Sequence, residues 1–333
     1  MKLAVSILSQ VTQVMIILLA APLLAGWVNQ CRAWLQNKRG PGALQPYRNF
    51  AKLFIKDVVL AHNASILFRA TPYILLGCMV LAAGIVPVVA TDLPFARAAD
   101  VIALVGIFAL ARVFLALAAM DIGTAFGSMG ARREMLIAFL AEPALLMVFF
   151  TASLISQSTS LNTIVETLGH EKLGIYPSLA FAATAFVMVL LAENARIPID
   201  NPATHLELTM VHEAMILEYS ARHLALIEWA SNIKLMLYAS IGLCLFVPWG
   251  IARADDLTIF LSVWNWRDFS TAQIFAYPIA VLCLAIKLLI AGAGLALLET
   301  ISAKMRIFRA PEFLGTAFLF AVLGMLVHFL LEI

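Results

Sequence analysis

Residues 100–120 read DVIALVGIFALARVFLALAAM, an apolar run with a single arginine, Arg112, near its middle. A helix of about 20 apolar residues matches the roughly 30 Å hydrocarbon core of a bilayer. An arginine at the centre of such a helix costs at least about 2.5–3.5 kcal/mol on insertion scales, so it is expected to have a partner and a use. The stretch therefore predicts a transmembrane helix that carries a functional charge.

The same pattern recurs along the whole chain of 333 residues, which is 63% hydrophobic and 13% charged. Soluble domains carry about 25% charged residues, so this composition indicates a membrane protein. Apolar runs that predict membrane spans cover residues 4–29, 71–91, 100–120, 133–155, 177–195, 222–252, 271–298 and 314–331. The sequence predicts an all-α polytopic membrane protein with about eight transmembrane helices, forming a single integral membrane domain over residues 1–333. A net charge of +2 is too small to indicate a nucleic-acid partner.

The distribution of lysine and arginine between the loops predicts the orientation. Alternate loops carry 14 of these residues, and the loops on the opposite side, with the N-terminal segment, carry 5. Positively charged loops face the cytoplasm, so both termini are expected on the periplasmic side. The cytoplasmic loops are then residues 30–70, 121–133, 196–221 and 299–313, and we expect them to form a docking face.

Six ionisable residues lie inside or at the ends of the predicted spans: Arg112, Glu142, Glu193, Glu228, Lys234 and Lys287. Counted at about 1.5 Å per residue from the cytoplasmic end of each span, all six lie at the midplane or on its cytoplasmic side. By the same rise, Glu193 lies only about 3 Å from the cytoplasmic end of its span, and Lys234 and Lys287 lie about 16–18 Å from theirs. Arg112 and Glu142 have similar depths, about 13 Å by this rise, and are predicted partners. The charges can form an ion or proton path, or static pairs that fix helix packing.

The fifth loop and the start of the next span are rich in groups that can hand on protons. The candidates are Asp200, His205, Glu207, His212, Glu213 and Glu218. If residues 205–223 form one continuous helix, His205, His212, Tyr219 and His223 share a face. A solvated charged face is the alternative. A histidine metal site is less expected, because histidines seven and eleven residues apart do not suit two ligands from one turn.

The first cytoplasmic loop combines a bend with an amphipathic segment. Gly40-Pro41-Gly42 turns the chain, and Phe50, Leu53 and Phe54 then line one side of a basic segment that can lie on the membrane surface. The loop is either attracted to anionic lipid or serves as a platform for a peripheral subunit. The predicted docking residues of the cytoplasmic face are Arg39, Gly40, Pro41, Gln45, Arg48, Arg132, Arg133, Glu134 and Arg196.

Four stretches of the sequence resemble corresponding stretches of a known family. Loop 1, residues 38–57, resembles the basic Arg-Gly-Pro loop of the H-type membrane subunit of respiratory complex I and its hydrogenase relatives. The pattern from Glu193 to Ser220 is similar to the charged loop of that family. Residues 130–134 with Glu142-Pro143, and residues 299–312, are similar to the hydrogenase branch, which includes formate hydrogenlyase and hydrogenase-4. The resemblance covers nearly the whole chain, although His205 stands where the family usually has a carboxylate and Ala221 where a glycine is common.

The resemblance implies a membrane anchor and coupling subunit of an energy-converting [NiFe]-hydrogenase complex in a bacterial cytoplasmic (inner) membrane. The expected partners are the large and small hydrogenase subunits, an iron–sulfur subunit, antiporter-like membrane subunits and lipid. The four cysteines are scattered singly, so iron–sulfur clusters and the [NiFe] site are expected in partner subunits, with no metal and no cofactor in this chain. Its part would be to link hydrogen chemistry to proton or sodium translocation through a charged inner half-channel.

Three alternatives remain open from the sequence. A quinone-reducing, complex I-like enzyme would use loop 1 and the first span as the border of a quinone chamber. A stand-alone ion transporter would be expected to show inverted repeats, and none is evident. A passive anchor would carry the same charges as static pairs.

Overall fold

The computed structural model describes residues 2–91, 94–95, 100–170, 176–200, 211–253, 271–303, 305 and 309–331. Within these ranges the chain forms eleven helices and one short pair of strands. The helices are α1 (Lys2–Leu35), α2 (Gln45–Ile55), α3 (Ile66–Ile85), α4 (Val101–Asp121), α5 (Ala125–Ser156), α6 (Leu161–His170), α7 (Pro177–Glu193), α8 (His212–Ile216), α9 (Ala221–Phe246), α10 (Thr271–Ile301) and α11 (Ala310–Leu331). Strands β1 (Ala90–Thr91) and β2 (Ala252–Arg253) pair in parallel.

The prediction of an all-α polytopic membrane protein is confirmed. In the described part of the chain, seven helices are long and apolar enough to cross a membrane, and α7 is an apolar helix of 17 residues. Each predicted span therefore corresponds to an apolar helix, although the ends differ. The first helix continues to Leu35, beyond the predicted end at residue 29, and α9 stops at Phe246, six residues before the predicted end.

Polar side chains and prolines set where several helices begin. Ser65 accepts a hydrogen bond from the backbone N–H of Leu67 at 3.1 Å, and Asp100 accepts one from Ile102 at 3.1 Å. Such caps satisfy amide groups that the first turn of a helix leaves without partners. Pro177 begins α7, where the missing N–H costs nothing.

Helix α7 is packed tightly by small residues. It lies against α5 and α11, and α11 places Gly324 against the carbonyl of Ser178, where a β-carbon would lie only 2.9 Å from that oxygen. Ala182 and Ala185 on α7 are fully buried. Small residues let transmembrane helices approach closely, and this contact packs the N-terminal half of α7 against α11.

Candidate functional site: a buried ion cluster beside a larger cleft

Three helices meet at the guanidinium of Arg112, whose side chain is buried on α4. Its Nη1 donates a hydrogen bond to Glu142 Oε1 at 2.9 Å, and its Nε lies 3.5 Å from Glu134 Oε1. Both glutamates are on α5. Arg112 Nη2 also contacts the carboxylate of Glu193, the last residue of α7. The pairing of Arg112 with Glu142 agrees with the sequence prediction.

Lys234 on α9 completes the cluster. Its Nζ lies 3.0 Å from Glu193 Oε2 and donates a hydrogen bond to the Glu193 carbonyl oxygen at 2.7 Å. Glu193 is therefore shared by a guanidinium and an ammonium. With all five groups ionised, two cations face three carboxylates, so the cluster carries one net negative charge, which one added proton neutralises.

The predicted depth of Glu193 was wrong. The sequence placed it near the membrane surface, but it contacts Arg112 and Lys234, which were placed about 10 Å or more deeper. The error arose because depth was counted from the end of each span. Helix α7 has only 17 residues and spans about 26 Å, so it ends inside the bundle while longer helices continue.

A cavity of about 50 Å³ adjoins the cluster. It is lined by Arg112, Glu193, Asn194 and Lys234, with an apolar wall from α3 and α4. Three buried atoms of these residues have no hydrogen-bond partner in the described part of the chain: Arg112 Nε, Glu193 Oε1 and Asn194 Oδ1. Buried polar groups are normally satisfied, and this volume has room for about three water molecules. The cavity can therefore hold water that bridges the cluster.

A larger cleft of about 420 Å³ lies next to this cavity on the predicted cytoplasmic side. Its walls come from α1, the loop before α2, α2 itself, residues 194–200, α8 and α9. The cavity and the cleft share Asn194, Ala195, His212 and Ser231. These four residues form the boundary between the cleft and the buried charges.

His212 stands at this boundary and is positioned by Asp200. The carboxylate of Asp200 accepts hydrogen bonds from the backbone N–H groups of Val211 at 3.3 Å and His212 at 3.2 Å. Burial lowers the pKa of His212 below its ordinary value, partly opposed by the nearby carboxylate of Glu134. The predicted ion-path residue Asp200 thus caps the start of α8 and also lines the cleft.

The remaining glutamate and histidine candidates for the ion path separate into three groups. Glu213 and Glu228 line the cleft, whereas Glu218 is exposed. His205 and Glu207 lie outside the described residues.

A continuous helix through residues 205–223, which was the condition for a shared histidine face, is contradicted within the described residues. Helix α8 ends at Ile216, and α9 begins at Ala221 with a positive φ of 49°. Tyr219 in the break stacks on Phe68, with ring centroids 3.9 Å apart, and donates to the Phe68 carbonyl oxygen at 3.0 Å. His212, Tyr219 and His223 therefore do not form a shared row, because the break turns them toward different neighbours.

The first loop closes one side of the cleft. Gly42 adopts a φ of 91°, and its N–H donates to Gln30 Oε1 on α1 at 2.9 Å. Pro41 and Gln45 line the cleft beside this turn. Gly40 packs on the side chain of Gln30, while Arg39 and Arg48 are exposed. The bend thus presents basic side chains outward while its backbone seals the cleft.

Two predicted docking residues have buried partners. Glu134 contacts Arg112, so it belongs to the ion cluster and not to the surface. Arg196 pairs with Glu299 on α10 at 3.1 Å, and Glu299 also pairs with Arg32 on α1 at 3.3 Å. The other predicted docking arginines of the third loop remain accessible: Arg132 is exposed, and Arg133 is partly exposed with a contact to Met129 Sδ at 3.1 Å.

Lys287 lies apart from the cluster, which corrects its predicted depth. Its Nζ donates to the Val247 carbonyl oxygen at 2.7 Å and contacts the Trp249 carbonyl, both just beyond the C-terminal end of α9. Val247 is 13 residues beyond Lys234, or about 20 Å along the helix. A lysine beside the last carbonyl groups of a helix stabilises that end. Lys287 is thus on the outer side of the bundle under the predicted orientation.

Comparison with known proteins identifies the family of this chain. A family model described as NADH dehydrogenase matches residues 8–330. The chain belongs to this family. Formate hydrogenlyase subunit 4 of Escherichia coli (strain K12) is 30% identical over 319 residues, covering 96% of this chain and 97% of that protein. Hydrogenase-4 component C of the same organism is 35% identical over 248 residues, covering 74% and 76%.

A solved structure of another protein has the same fold as this chain. A chain of the membrane-bound sulfane sulfur reductase (MBS), an archaeal respiratory membrane complex, superposes with a TM-score of 0.76 at 17% identity. The match covers 96% of this chain and 98% of that one. At this identity the likeness shows a common fold. The relatives are components of multi-subunit membrane complexes, so this chain has partners of that kind.

Sequence reasoning missed two features of the site. Glu134 was assigned to the docking face because it lies at the start of the predicted span. Glu299 was recognised only as part of a family motif, because the predicted span ended at residue 298 while α10 continues to Ile301. In both cases the carboxylate lies within one helical turn of the predicted end of an apolar run. That position was the signal that the sequence offered.

Proposed function

We propose that this chain is the membrane anchor and coupling subunit of an energy-converting, membrane-bound [NiFe]-hydrogenase complex in a bacterial cytoplasmic membrane. It links electron transfer and hydrogen chemistry on the cytoplasmic side to translocation of protons or sodium ions. The similarity to formate hydrogenlyase subunit 4 over nearly the full length of both chains supports the type of complex.

The observation that carries the proposal is the ion cluster on four helices. Arg112, Glu134, Glu142, Glu193 and Lys234 come from α4, α5, α7 and α9, and they share contacts through Arg112 and Glu193. Burying five ionisable groups costs several kcal/mol per ion unless each is compensated, so their balance is sensitive to one added charge. A change in the cytoplasmic cleft that adds or removes a proton can therefore rearrange the contacts between helices.

The boundary of the cluster favours protons over sodium ions. The residues that line the cavity include donors, Arg112 and Lys234, and an acceptor, the carboxylate of Glu193. Water can donate and accept, so it can pair with both kinds of group, whereas a bare cation can pair only with the acceptor. A sodium ion would also lie beside Arg112 and Lys234, which line the same cavity and repel it.

The peripheral partners follow from the same proposal. The large and small hydrogenase subunits and an iron–sulfur subunit, which carry the [NiFe] site and the iron–sulfur clusters, would dock over the basic first loop and the exposed Arg132. Antiporter-like subunits and lipid would cover the apolar faces of the peripheral helices. Helices α10 and α11 are the least buried of the seven long apolar helices. In each of them, 22% of the most apolar 18-residue stretch is buried inside this chain.

Purification of the complex through a tag on this chain tests the proposal. We expect a [NiFe] subunit to co-purify, and we expect hydrogen evolution by the complex in liposomes to drive ion movement that an ionophore abolishes. A purified complex without nickel, or hydrogen evolution without ion movement, contradicts the proposal.

A quinone-reducing complex is the second candidate, and one observation favours it. The cleft of about 420 Å³ between α1, α2 and α9 is large enough for a small aromatic head group. Reduction of an added ubiquinone or menaquinone analogue by the purified complex, without hydrogen evolution, would support this candidate. Ion uptake by this chain alone in liposomes would instead indicate a stand-alone transporter.

A further inference from the structure

Among the described residues, Glu299, near the cytoplasmic end of α10, is the most strongly enclosed charge that the proposed function does not use. The residue is 3% exposed, and its side chain is entirely enclosed. A carboxylate this deep is costly to bury without cationic partners, because desolvation costs several kcal/mol. Each of its two carboxylate oxygens therefore needs a partner.

The two oxygens of Glu299 bind different parts of the fold. Oε2 pairs with Arg32 Nη1 of α1 at 3.3 Å, and Oε1 pairs with Arg196 Nη1 at 3.1 Å. Arg196 belongs to residues 194–200, the segment that follows α7. Arg32 is further held by Asn29, whose Oδ1 accepts a hydrogen bond from Nη2 at 3.1 Å. One carboxylate thus joins α1, α10 and the segment after α7.

The segment that Arg196 anchors connects the ion cluster with the cleft. It begins directly after Glu193 and ends at Asp200, which caps α8 beside His212. A second contact ties it to the same end of α10, because the Met305 N–H donates to the Pro198 carbonyl oxygen at 2.9 Å. Arg32 and Arg196 both line the cleft, so Glu299 determines where two of its cationic groups point.

We infer that Glu299 is a positioning residue that locks residues 194–200 against α1 and α10, so that a displacement of α1 or of the docked first loop is transmitted to Glu193. Without the carboxylate, the two guanidinium groups lose the counter-ion that they share, and they repel. The segment then loses its attachment to α1 while the ion cluster keeps all its members. This inference rests on the proposed coupling function and assigns a transmission role to a residue outside the ion cluster.

The test uses the complex purified through this chain and reconstituted in liposomes. For Glu299→Gln we expect hydrogen evolution with an artificial electron donor to stay within about twofold of wild type, and coupled ion uptake to fall at least fivefold. Glu312→Gln is the matched control, because Glu312 is exposed in the first turn of α11, close in sequence to the end of α10. Normal coupling in Glu299→Gln overturns the inference, as does an equal loss in Glu312→Gln.

A second variant, Arg196→Gln, covers the case in which Glu299→Gln does not assemble, and a double-mutant cycle applies where both single variants assemble. Arg196→Gln removes one of the two contacts of Glu299 and a side chain that is 14% exposed. The carboxylate keeps Arg32 as a partner, so this change leaves less buried charge unpaired than Glu299→Gln. We expect Arg196→Gln alone to reduce coupling, and the double variant to be no worse than the more impaired single variant, because both changes break the same contact between Arg196 and Glu299. Normal coupling in Arg196→Gln, or losses that multiply in the double variant, overturns the inference.

Failure of the proposed function gives a different result. If wild-type complex shows no coupled ion movement, the coupling role fails. If wild type couples ions and both variants do so equally well, only the role of Glu299 fails.

Discussion

Glu193→Gln is the most direct perturbation of the ion cluster. The change keeps the size and shape of the side chain and removes the charge that Arg112 and Lys234 share. With Lys234 Nζ at 3.0 Å from the carboxylate, the lost attraction is about 5 kcal/mol at an effective dielectric constant of about 20. Such an energy corresponds to more than about a thousandfold in an equilibrium, so partial compensation by Glu134 and Glu142 still leaves a large effect.

The assay compares hydrogen evolution with ion movement in liposomes that contain the purified complex. We expect Glu193→Gln to lower coupled ion uptake at least tenfold while hydrogen evolution with an artificial donor changes by less than about twofold, because the proposed function assigns the redox centres to other subunits. The amount of assembled complex must be measured alongside, since breaking a buried ion pair costs about 3–5 kcal/mol of stability.

Two variants serve as controls for position. Glu166→Gln lies on α6, on the outer side under the predicted orientation, and should leave coupling unchanged. Glu218→Gln changes an exposed carboxylate and should have a smaller effect than Glu193→Gln, although the sequence alone gave the two residues equal weight. Normal coupling in a fully assembled Glu193→Gln complex, or equal losses in all three variants, refutes the role of the cluster.

Further predictions concern His212, Ala221 and Lys287. Burial lowers the pKa of His212, so its contribution to stability is complete above the ordinary value of about 6.5 and is lost as the pH falls below it; His212→Gln should flatten this part of a thermal-stability profile measured against pH. Ala221 has a φ of 49°, so Ala221→Gly should stabilise the protein by about 1 kcal/mol, seen as a small rise in melting temperature; a fall in melting temperature contradicts this. Lys287→Met should reduce thermal stability without lowering the ratio of ions moved to hydrogen evolved, because Lys287 contacts the end of α9 and not the cluster.

The sequence predicted the helices and one central contact because both depend on local pattern. Apolar runs of sufficient length have only one way to cross a bilayer with their backbone groups satisfied, so each predicted span corresponds to a helix. Arg112 and Glu142 were paired correctly because α4 and α5 are both long enough to cross the membrane. The family resemblance, carried by four separate stretches, is confirmed over residues 8–330.

The missed contacts depend on where helices end relative to one another, which a single sequence does not encode. Glu193 joined the cluster because α7 is shorter than its neighbours. The histidine face failed because four residues, 217–220, separate α8 from α9 and allow Tyr219 to stack on Phe68. Lys287 was misplaced because α10 has 31 residues, longer than a bilayer requires, so counting from its end gave no reliable depth.

Simultaneous measurement of hydrogen evolution and ion movement by the reconstituted complex tests the coupling role most directly. The wild-type complex, purified through this chain, is expected to evolve hydrogen and to build an ion gradient that collapses with a protonophore and persists when sodium is omitted. Hydrogen evolution at the same rate with no gradient, or a gradient that forms only in the presence of sodium and resists the protonophore, contradicts the proton-coupling role proposed for the cluster around Arg112.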